Sequence, residues 1–197
     1  MIISVDGNFG AGTTCIIDAI SKNNAVNSVA DVHATSARSY AGTLDRFRNA
    51  SQTYACLLAL DVLAGLASVR ATDRHAVVKR SPLSVLDVHV RANAQDNLIG
   101  HEQLALITEY AATYAAWRPD VIVFVEAPVT ECMRAGEFEF IKYVGFLYDR
   151  ALKEWERAGV RVIRVRRNES EGVDAFSARV SYLVQQQLAS MLEQPGR

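Results

Sequence analysis

The chain has 197 residues, half of them hydrophobic, and its 21 basic and 22 acidic residues leave a net charge of −1. A chain of this length can bury one substantial core, and the balanced charge argues against a nucleic-acid partner or an anionic membrane surface. The three cysteines (Cys15, Cys56 and Cys132) lack metal-ligand spacing, which is typical of free thiols in a reducing compartment. Because no apolar run of transmembrane length and no signal or transit peptide is visible, we expect a cytoplasmic protein.

Five short apolar runs without polar alternation predict strands that are buried on both faces of a parallel sheet. They cover residues 2–5, 29–32, 76–78, 121–125 and 160–165. Helical patterns follow at 13–22, 51–71, 84–95, 101–117, 137–157 and 172–193. Gly159 follows the fifth helical pattern, as expected of a residue that ends a helix. The alternation predicts a single three-layer α/β domain over residues 1–193, with a loose tail at 194–197.

The first predicted strand leads into a glycine-rich stretch, VDGNFGAGTT, at residues 5–14. Its spacing is that of a phosphate-binding loop, G-x-x-x-x-G-K-[ST], except that Thr13 stands in the place of the lysine. In such a loop, backbone N–H groups face phosphate oxygens, and the helix that follows adds a favourable dipole. Thr14 supplies the hydroxyl expected to coordinate Mg²⁺, and a plain strand–turn–helix connection is the competing interpretation. The candidate phosphate-binding residues are Gly7, Asn8, Gly10, Ala11, Gly12, Thr13 and Thr14.

Four further segments, in this order along the chain, resemble the deoxynucleoside kinase family. They are SQTYACLLAL (51–60), KRSPLS (79–84), PDVIVFVEAPVTECMR (119–134) and RNES (167–170). The Gln-Thr-Tyr-Ala-Cys-Leu match is the most specific, because nothing in a general helical pattern demands it. The resemblance implies a P-loop kinase fold with a five-stranded parallel sheet flanked by helices. It also implies transfer of the γ-phosphoryl group of ATP, used with Mg²⁺, to the 5′-hydroxyl of a deoxynucleoside.

The same resemblance implies roles for residues around the acceptor nucleoside. Gln52 would hydrogen-bond the Watson–Crick edge of a nucleobase, and an exposed helical glutamine is the competing interpretation. Arg80 would steady the reacting 5′-hydroxyl and phosphate at the end of the third strand, where ligands of parallel sheets gather. Phe140 and Glu139 would lie near the sugar, although an ordinary core-and-surface pair explains them equally well.

On the donor side, the resemblance places Asn168 and Glu169 against the adenine. Arg134 would belong to the lid that clamps the transferring phosphoryl group. Members of the family pair through their long helices, which implies a homodimer through the helices at 51–71 and 84–95, although burial in the core explains the first of these helices as well.

The chain departs from the family pattern at four kinds of charged position. Thr13 replaces the loop lysine, Lys79 replaces a glutamate that helps to hold Mg²⁺, and the lid keeps only Arg134. The acidic general base is missing, and His33 or Thr35 lies near its place, depending on alignment. Lys79 could instead reach the phosphates and substitute for the loop lysine.

These departures leave three interpretations open. Because phosphoryl transfer depends on positioning and charge neutralisation, they predict a kinase of weak activity, with Lys79, Arg80, Arg134 and His33 sharing the catalytic work. The alternative is an inactive homologue that keeps the fold as a nucleotide-binding or assembly protein. A nucleotide kinase of the thymidylate kinase type shares the architecture but lacks the Gln-Thr-Tyr-Ala-Cys-Leu helix.

Overall fold

The structure is a computed structural model that describes residues 2–8, 10–22, 29–30, 76–79, 81–92, 100–102, 104–105, 108–109, 119–128 and 138–192. These residues include the strands β1 (Ile2–Gly7), β2 (Val29–Ala30), β3 (Ala76–Lys79), β4 (Val121–Glu126) and β5 (Arg161–Arg166). The strands form one parallel sheet in the order β2-β3-β1-β4-β5, in which β2 contributes two residues at one edge. The predicted parallel α/β fold is confirmed.

The helices lie close to their predicted positions. They are α1 (Thr13–Lys22), α2 (an α-helical turn at Pro82–Ser84 that continues as a π-helix over Val85–Val90), α3 (Phe138–Arg157) and α4 (Val173–Leu192). The predicted helix at 51–71 lies outside the described residues, as does much of the one at 101–117. Among the helices that the structure describes, none is long and apolar enough to cross a membrane.

Two hydrophobic cores lie on opposite faces of the sheet, and β4 contributes to both. The core between the sheet, α1 and α4 contains Val121, Val123, Val125, Ile16, Phe176 and Val180. The core between the sheet, α2 and α3 contains Ile122, Phe124, Val88, Val144, Tyr148 and Leu152. Because a shift of one residue along β4 would exchange these two sets of side chains, the packing fixes the register of the central strands.

The end of α3 is determined by Gly159. This residue has φ +83°, a left-handed conformation that glycine adopts without steric cost. The N–H of Gly159 donates to the carbonyl of Glu156 at 3.0 Å, and that of Val160 donates to Trp155 at 2.9 Å, which is the hydrogen-bond pattern of a Schellman motif. The helix stop predicted at Gly159 is therefore confirmed. In the same turn of α3, the indole N–H of Trp155 donates to Asp87 Oδ2 at 2.8 Å and ties α3 to α2.

Candidate functional site

The carboxyl ends of β3, β1 and β4 lie side by side at one edge of the sheet. β1 is central, with Lys79 of β3 paired to Val5 on one side and Val125 of β4 paired to Gly7 on the other. In open parallel sheets, ligands bind outside this edge, between the loops that follow the strands. The glycine loop leaves the sheet at its middle strand and is therefore at the centre of the candidate site.

The glycine loop has the backbone conformation that its sequence requires. Gly10 and Gly12 have φ values of +78° and +81°, in the left-handed region that favours glycine. The N–H of Ala11 donates to the carbonyl of Asn8 at 3.1 Å and closes the turn. The next helix, α1, begins at Thr13. Its first N–H groups have no partners within the helix and, together with the helix dipole, favour an anion at this point.

A lysine from the neighbouring strand reaches the first turn of α1. Lys79 ends β3 and is buried, and its Nζ donates a hydrogen bond to Thr14 Oγ1 at 2.7 Å. The two residues are 65 positions apart, so the sheet brings together two of the predicted site residues. Thr13, at the position of the usual lysine, lies against the turn itself, where its Cγ2 would be 3.1 Å from a Cβ on Gly7. An ammonium group is thus held beside the loop although the loop contains no lysine.

A buried carboxyl group, which the sequence did not single out, fixes the backbone that follows Lys79. Asp6 is fully buried, accepts a hydrogen bond from Ser4 Oγ at 2.6 Å, and accepts another from the backbone N–H of Ser81 at 3.0 Å. Ser84 then closes the next turn by donating its N–H to Ser81 Oγ at 3.0 Å. The signal in the sequence is an acidic residue within a strand that is buried on both faces, where charge needs dedicated partners. Asp6 therefore links the base of the glycine loop to the end of β3.

Replacement of Asp6 by Asn is expected to change how stability depends on pH. Burial raises the pKa of the Asp6 carboxyl above its ordinary value of 3.8, and hydrogen bonds from Ser4, Ser84 and Ser81 oppose this only in part. Between the ordinary and the raised pKa, the unfolded carboxyl has lost its proton and the folded one retains it, so the wild type loses stability as pH rises. Asn does not titrate. Urea denaturation should therefore show the free energy of unfolding of Asp6→Asn rising relative to that of the wild type between pH 4 and pH 8. A difference in unfolding free energy that does not change with pH would contradict the prediction.

Helix α3 borders the other side of the loop. A Cβ on Gly145 would lie 3.6 Å from Nδ2 of Asn8, an ordinary contact distance. Asn8 Oδ1 is buried and accepts no hydrogen bond from the part of the chain that the structure describes. Asn8 thus stands between the glycine loop and α3, and its side-chain oxygen lacks a hydrogen-bond partner there.

The loop after β5 is held by one arginine of α4. Arg179 donates to Glu171 through Nε at 2.8 Å and Nη2 at 2.7 Å, and its Nη2 also donates to the carbonyl of Arg166 at 2.9 Å. The hydrogen bonds from Arg179 lower the pKa of the Glu171 carboxyl. Asn168 and Glu169 are exposed within this loop. The predicted adenine-side residues therefore lie on a turn whose shape is fixed by an ion pair.

The other predicted site residues are only partly described. Glu139 is exposed and its Oε1 lies 3.3 Å from Nζ of Lys142, one turn away on α3. Phe140 belongs to α3, but its side chain lies outside the description. Four further predicted residues lie entirely outside the described part of the chain: Gln52, His33, Arg80 and Arg134. Their roles stay predictions.

More than half of this chain matches one protein-family model. The model is that of deoxynucleoside kinase, and it matches residues 3–137. The chain belongs to the deoxynucleoside kinase family. The matched region of this deoxynucleoside kinase family member includes the glycine loop, Lys79 and Thr14. Comparison with curated protein sequences gives no match.

Solved structures of similar fold include those of deoxyadenosine kinase from M. mycoides. One has the products dCMP and a flexible dCDP bound; it shares 13% identity at a TM-score of 0.62 and covers 96% of this chain and 100% of that chain. A second, with bound dATP, shares 12% identity at a TM-score of 0.62 over 96% of this chain and 99% of that chain. A third, with bound dCTP, shares 14% identity at a TM-score of 0.58 and covers 96% of this chain and 100% of that chain. At this identity the likeness shows the fold.

Proposed function

We propose that this member of the family transfers the γ-phosphoryl group of ATP to the 5′-hydroxyl of a deoxynucleoside. The observation that carries the proposal is the hydrogen bond from Lys79 Nζ to Thr14 Oγ1 at 2.7 Å. It supplies a cation at the loop, where Thr13 has removed the usual one. The family match and the nucleotide-bound kinases of similar fold support the substrate class.

The donor triphosphate binds at the glycine loop. Backbone N–H groups at the start of α1 bind the phosphate oxygens, and the ammonium of Lys79 neutralises part of their charge. Arg80 and Arg134 complete the clamp on the transferring group, while Asn168 and Glu169 lie beside the adenine. These cations perform the charge neutralisation on which phosphoryl transfer depends.

The acceptor deoxynucleoside binds with its base on Gln52 and its sugar near Phe140 and Glu139. Its 5′-oxygen attacks the γ-phosphorus, the bond from that phosphorus to the β–γ bridging oxygen breaks, and ADP leaves. The proton of the 5′-hydroxyl passes to His33 as the general base, because histidine is the side chain that ordinarily exchanges a proton near neutral pH.

The proposal is tested by incubating the protein with ATP, MgCl₂ and each of the four deoxynucleosides in turn. We expect a deoxynucleoside monophosphate and ADP in equal amounts with at least one of them. Gln52→Ala should raise KM for the deoxynucleoside more than it lowers kcat, because Gln52 binds the base and stays outside the chemistry. Failure to form monophosphate from any of the four would refute the proposal.

A second function is favoured by the identity of residue 79. A lysine stands where family members place a metal-side glutamate, which suits binding of a triphosphate better than its transfer. In this alternative, the chain binds nucleotide and acts without catalysis, as an inactive homologue. A thermal shift with ATP but no product in the assay above would select it.

We also propose a homodimer through the helices predicted at 51–71 and 84–95, with α3 beside the second of these helices. On α3, the Phe146 side chain is 61% exposed and stacks on Tyr143 with ring centroids 6.5 Å apart, beside the groove between α2 and α3. Aromatic side chains of this kind are enriched at subunit interfaces. Light scattering should give twice the chain mass for the wild type and the monomer mass for Phe146→Glu. A monomeric wild type would contradict the pairing.

A further inference from the structure

We propose that the ammonium of Lys79 takes the position at which a phosphate-binding loop holds Mg²⁺, so that this chain binds nucleoside triphosphates without a divalent cation. The inference rests on the proposed function only in taking the glycine loop as the triphosphate site. It does not require catalysis. It concerns the chemistry of Thr14, Lys79 and the acidic residues around them.

The Thr14 hydroxyl is the first ligand that Mg²⁺ would need. P-loop enzymes hold the metal through this serine or threonine. Here its oxygen already accepts a hydrogen bond from Lys79 Nζ at 2.7 Å. Since Mg²⁺ binds oxygen at about 2.1 Å, a metal ion and this ammonium on one hydroxyl oxygen would be only about 4 Å apart. Two cations at that separation repel each other strongly in a partly buried site, so the hydroxyl serves one or the other.

The described carboxyl groups at this edge of the sheet do not favour the metal either. Asp6 is fully buried, and its two oxygens accept hydrogen bonds from Ser4 and Ser81. Glu126 ends β4, on the opposite side of β1 from Lys79. Within the described ranges, no group of three or more His, Cys, Asp or Glu side chains could hold a metal ion. Among the residues that the structure describes, the donors around Thr14 therefore suit an ammonium and do not fit Mg²⁺.

Lys79 is suited to replace the charge of the metal. Its ammonium is a compact point charge, and it already donates a hydrogen bond to Thr14 at the start of α1. It approaches from a buried strand end, so its stem is covered and its head group faces the start of α1. A phosphate bound by the first N–H groups of α1 would lie next to this ammonium. Lys79 then supplies one positive charge at the place where a loop lysine and a metal ion act together in other phosphate-binding loops.

The test compares triphosphate binding with and without the metal. Binding of ATP and of dATP would be measured by isothermal titration calorimetry, in MgCl₂ and in EDTA, for the wild type and three variants. In Lys79→Met the ammonium is removed, and in Lys79→Glu the carboxylate typical of the family is restored. Lys153→Met is the matched control, since Lys153 is an exposed lysine of α3. Thermal unfolding of each variant shows whether it is folded.

We expect the wild type and Lys153→Met to bind each triphosphate with affinities that agree within threefold in the two buffers. Lys79→Met should lose at least tenfold in both, and Lys79→Glu should bind in MgCl₂ only. A wild type that binds at least tenfold more weakly in EDTA would overturn the inference, and this measurement needs no variant. The inference would also be overturned if Lys79→Met bound the triphosphates as tightly as the wild type does, or if the wild type bound neither of them. Metal-independent binding without monophosphate formation would refute the proposed kinase activity alone.

Discussion

A lysine placed in the glycine loop is expected to replace the lysine of β3. Lys79→Thr alone should weaken ATP binding by at least about 100-fold, because a charged contact of this kind in a preorganised site contributes ~3 kcal/mol. Adding Thr13→Lys should recover the affinity to within about tenfold of the wild type, since position 13 is where phosphate-binding loops carry the lysine. Calorimetry with ATP in MgCl₂ measures both steps. The double variant should also bind more tightly in MgCl₂ than in EDTA, because Thr14 no longer accepts a bond from an ammonium.

Two single variants show whether a recovered ATP affinity in the double variant comes from exchanging the two lysine positions. Thr13→Lys alone should bind ATP at least as tightly as the wild type, because it adds positive charge and leaves Lys79 in place. Lys153→Thr, on the exposed face of α3, should have no effect. If the double variant binds no better than Lys79→Thr, the two lysine positions are not equivalent and Lys79 is not the substitute for the loop lysine.

Gly7→Ala is expected to disrupt both folding and nucleotide binding. An added Cβ would lie 2.7 Å from the carbonyl oxygen of Val125, 3.1 Å from Cγ2 of Thr13 and 3.2 Å from Cβ of Ala11. The first contact is with the backbone of the neighbouring strand β4, which cannot move without breaking the sheet. Overpacking of this kind costs about 1–3 kcal/mol, and relief by shifting the loop would misplace its N–H groups. Urea denaturation should show the loss of stability, and calorimetry should show at least tenfold weaker ATP binding.

Gly172→Ala is the matched control for Gly7→Ala. A Cβ at Gly172 would meet no atom within 4 Å, so its effect should stay within about 0.5 kcal/mol. If Gly7→Ala denatured at the same urea concentration as Gly172→Ala, the close approach of β1 to β4 at Gly7 would not be a constraint on the fold.

Local patterns predicted the elements and the loop well. The run of apolar residues at 2–5 indicates a strand buried on both faces, and the structure extends that strand to Gly7, directly before the turn. Gly10 and Gly12 have the positive φ angles that a phosphate-binding turn requires. The helix stop at Gly159 follows from glycine's freedom to adopt the left-handed region. These features depend on neighbours within a few residues, which is the range over which a sequence pattern is informative.

Contacts across the sheet were harder to predict. The sequence suggested that Lys79 could act at the loop, but only the pairing of β3 with β1 shows which atom its ammonium contacts. The role of Asp6 was missed because its long-range partner is the backbone N–H of Ser81, 75 residues away, and a backbone group leaves no trace in the pattern of residue types. The π-helical winding of α2 was missed as well, since apolar spacing does not distinguish it from an α-helix over two turns.

The anchoring of β3 has a consequence for the time course of nucleotide binding. The backbone of Lys79 is paired with Val5, and two residues later the Ser81 N–H is bound by Asp6, so this segment moves together with the base of the loop. Contact of the ammonium, beside Thr14, with an arriving phosphate therefore needs at most a change of side-chain rotamer. Such changes are much faster than the microsecond-to-millisecond opening of backbone segments. Rapid-mixing experiments should accordingly resolve a single phase whose rate rises linearly with ATP concentration, with no slower step that belongs to the lysine.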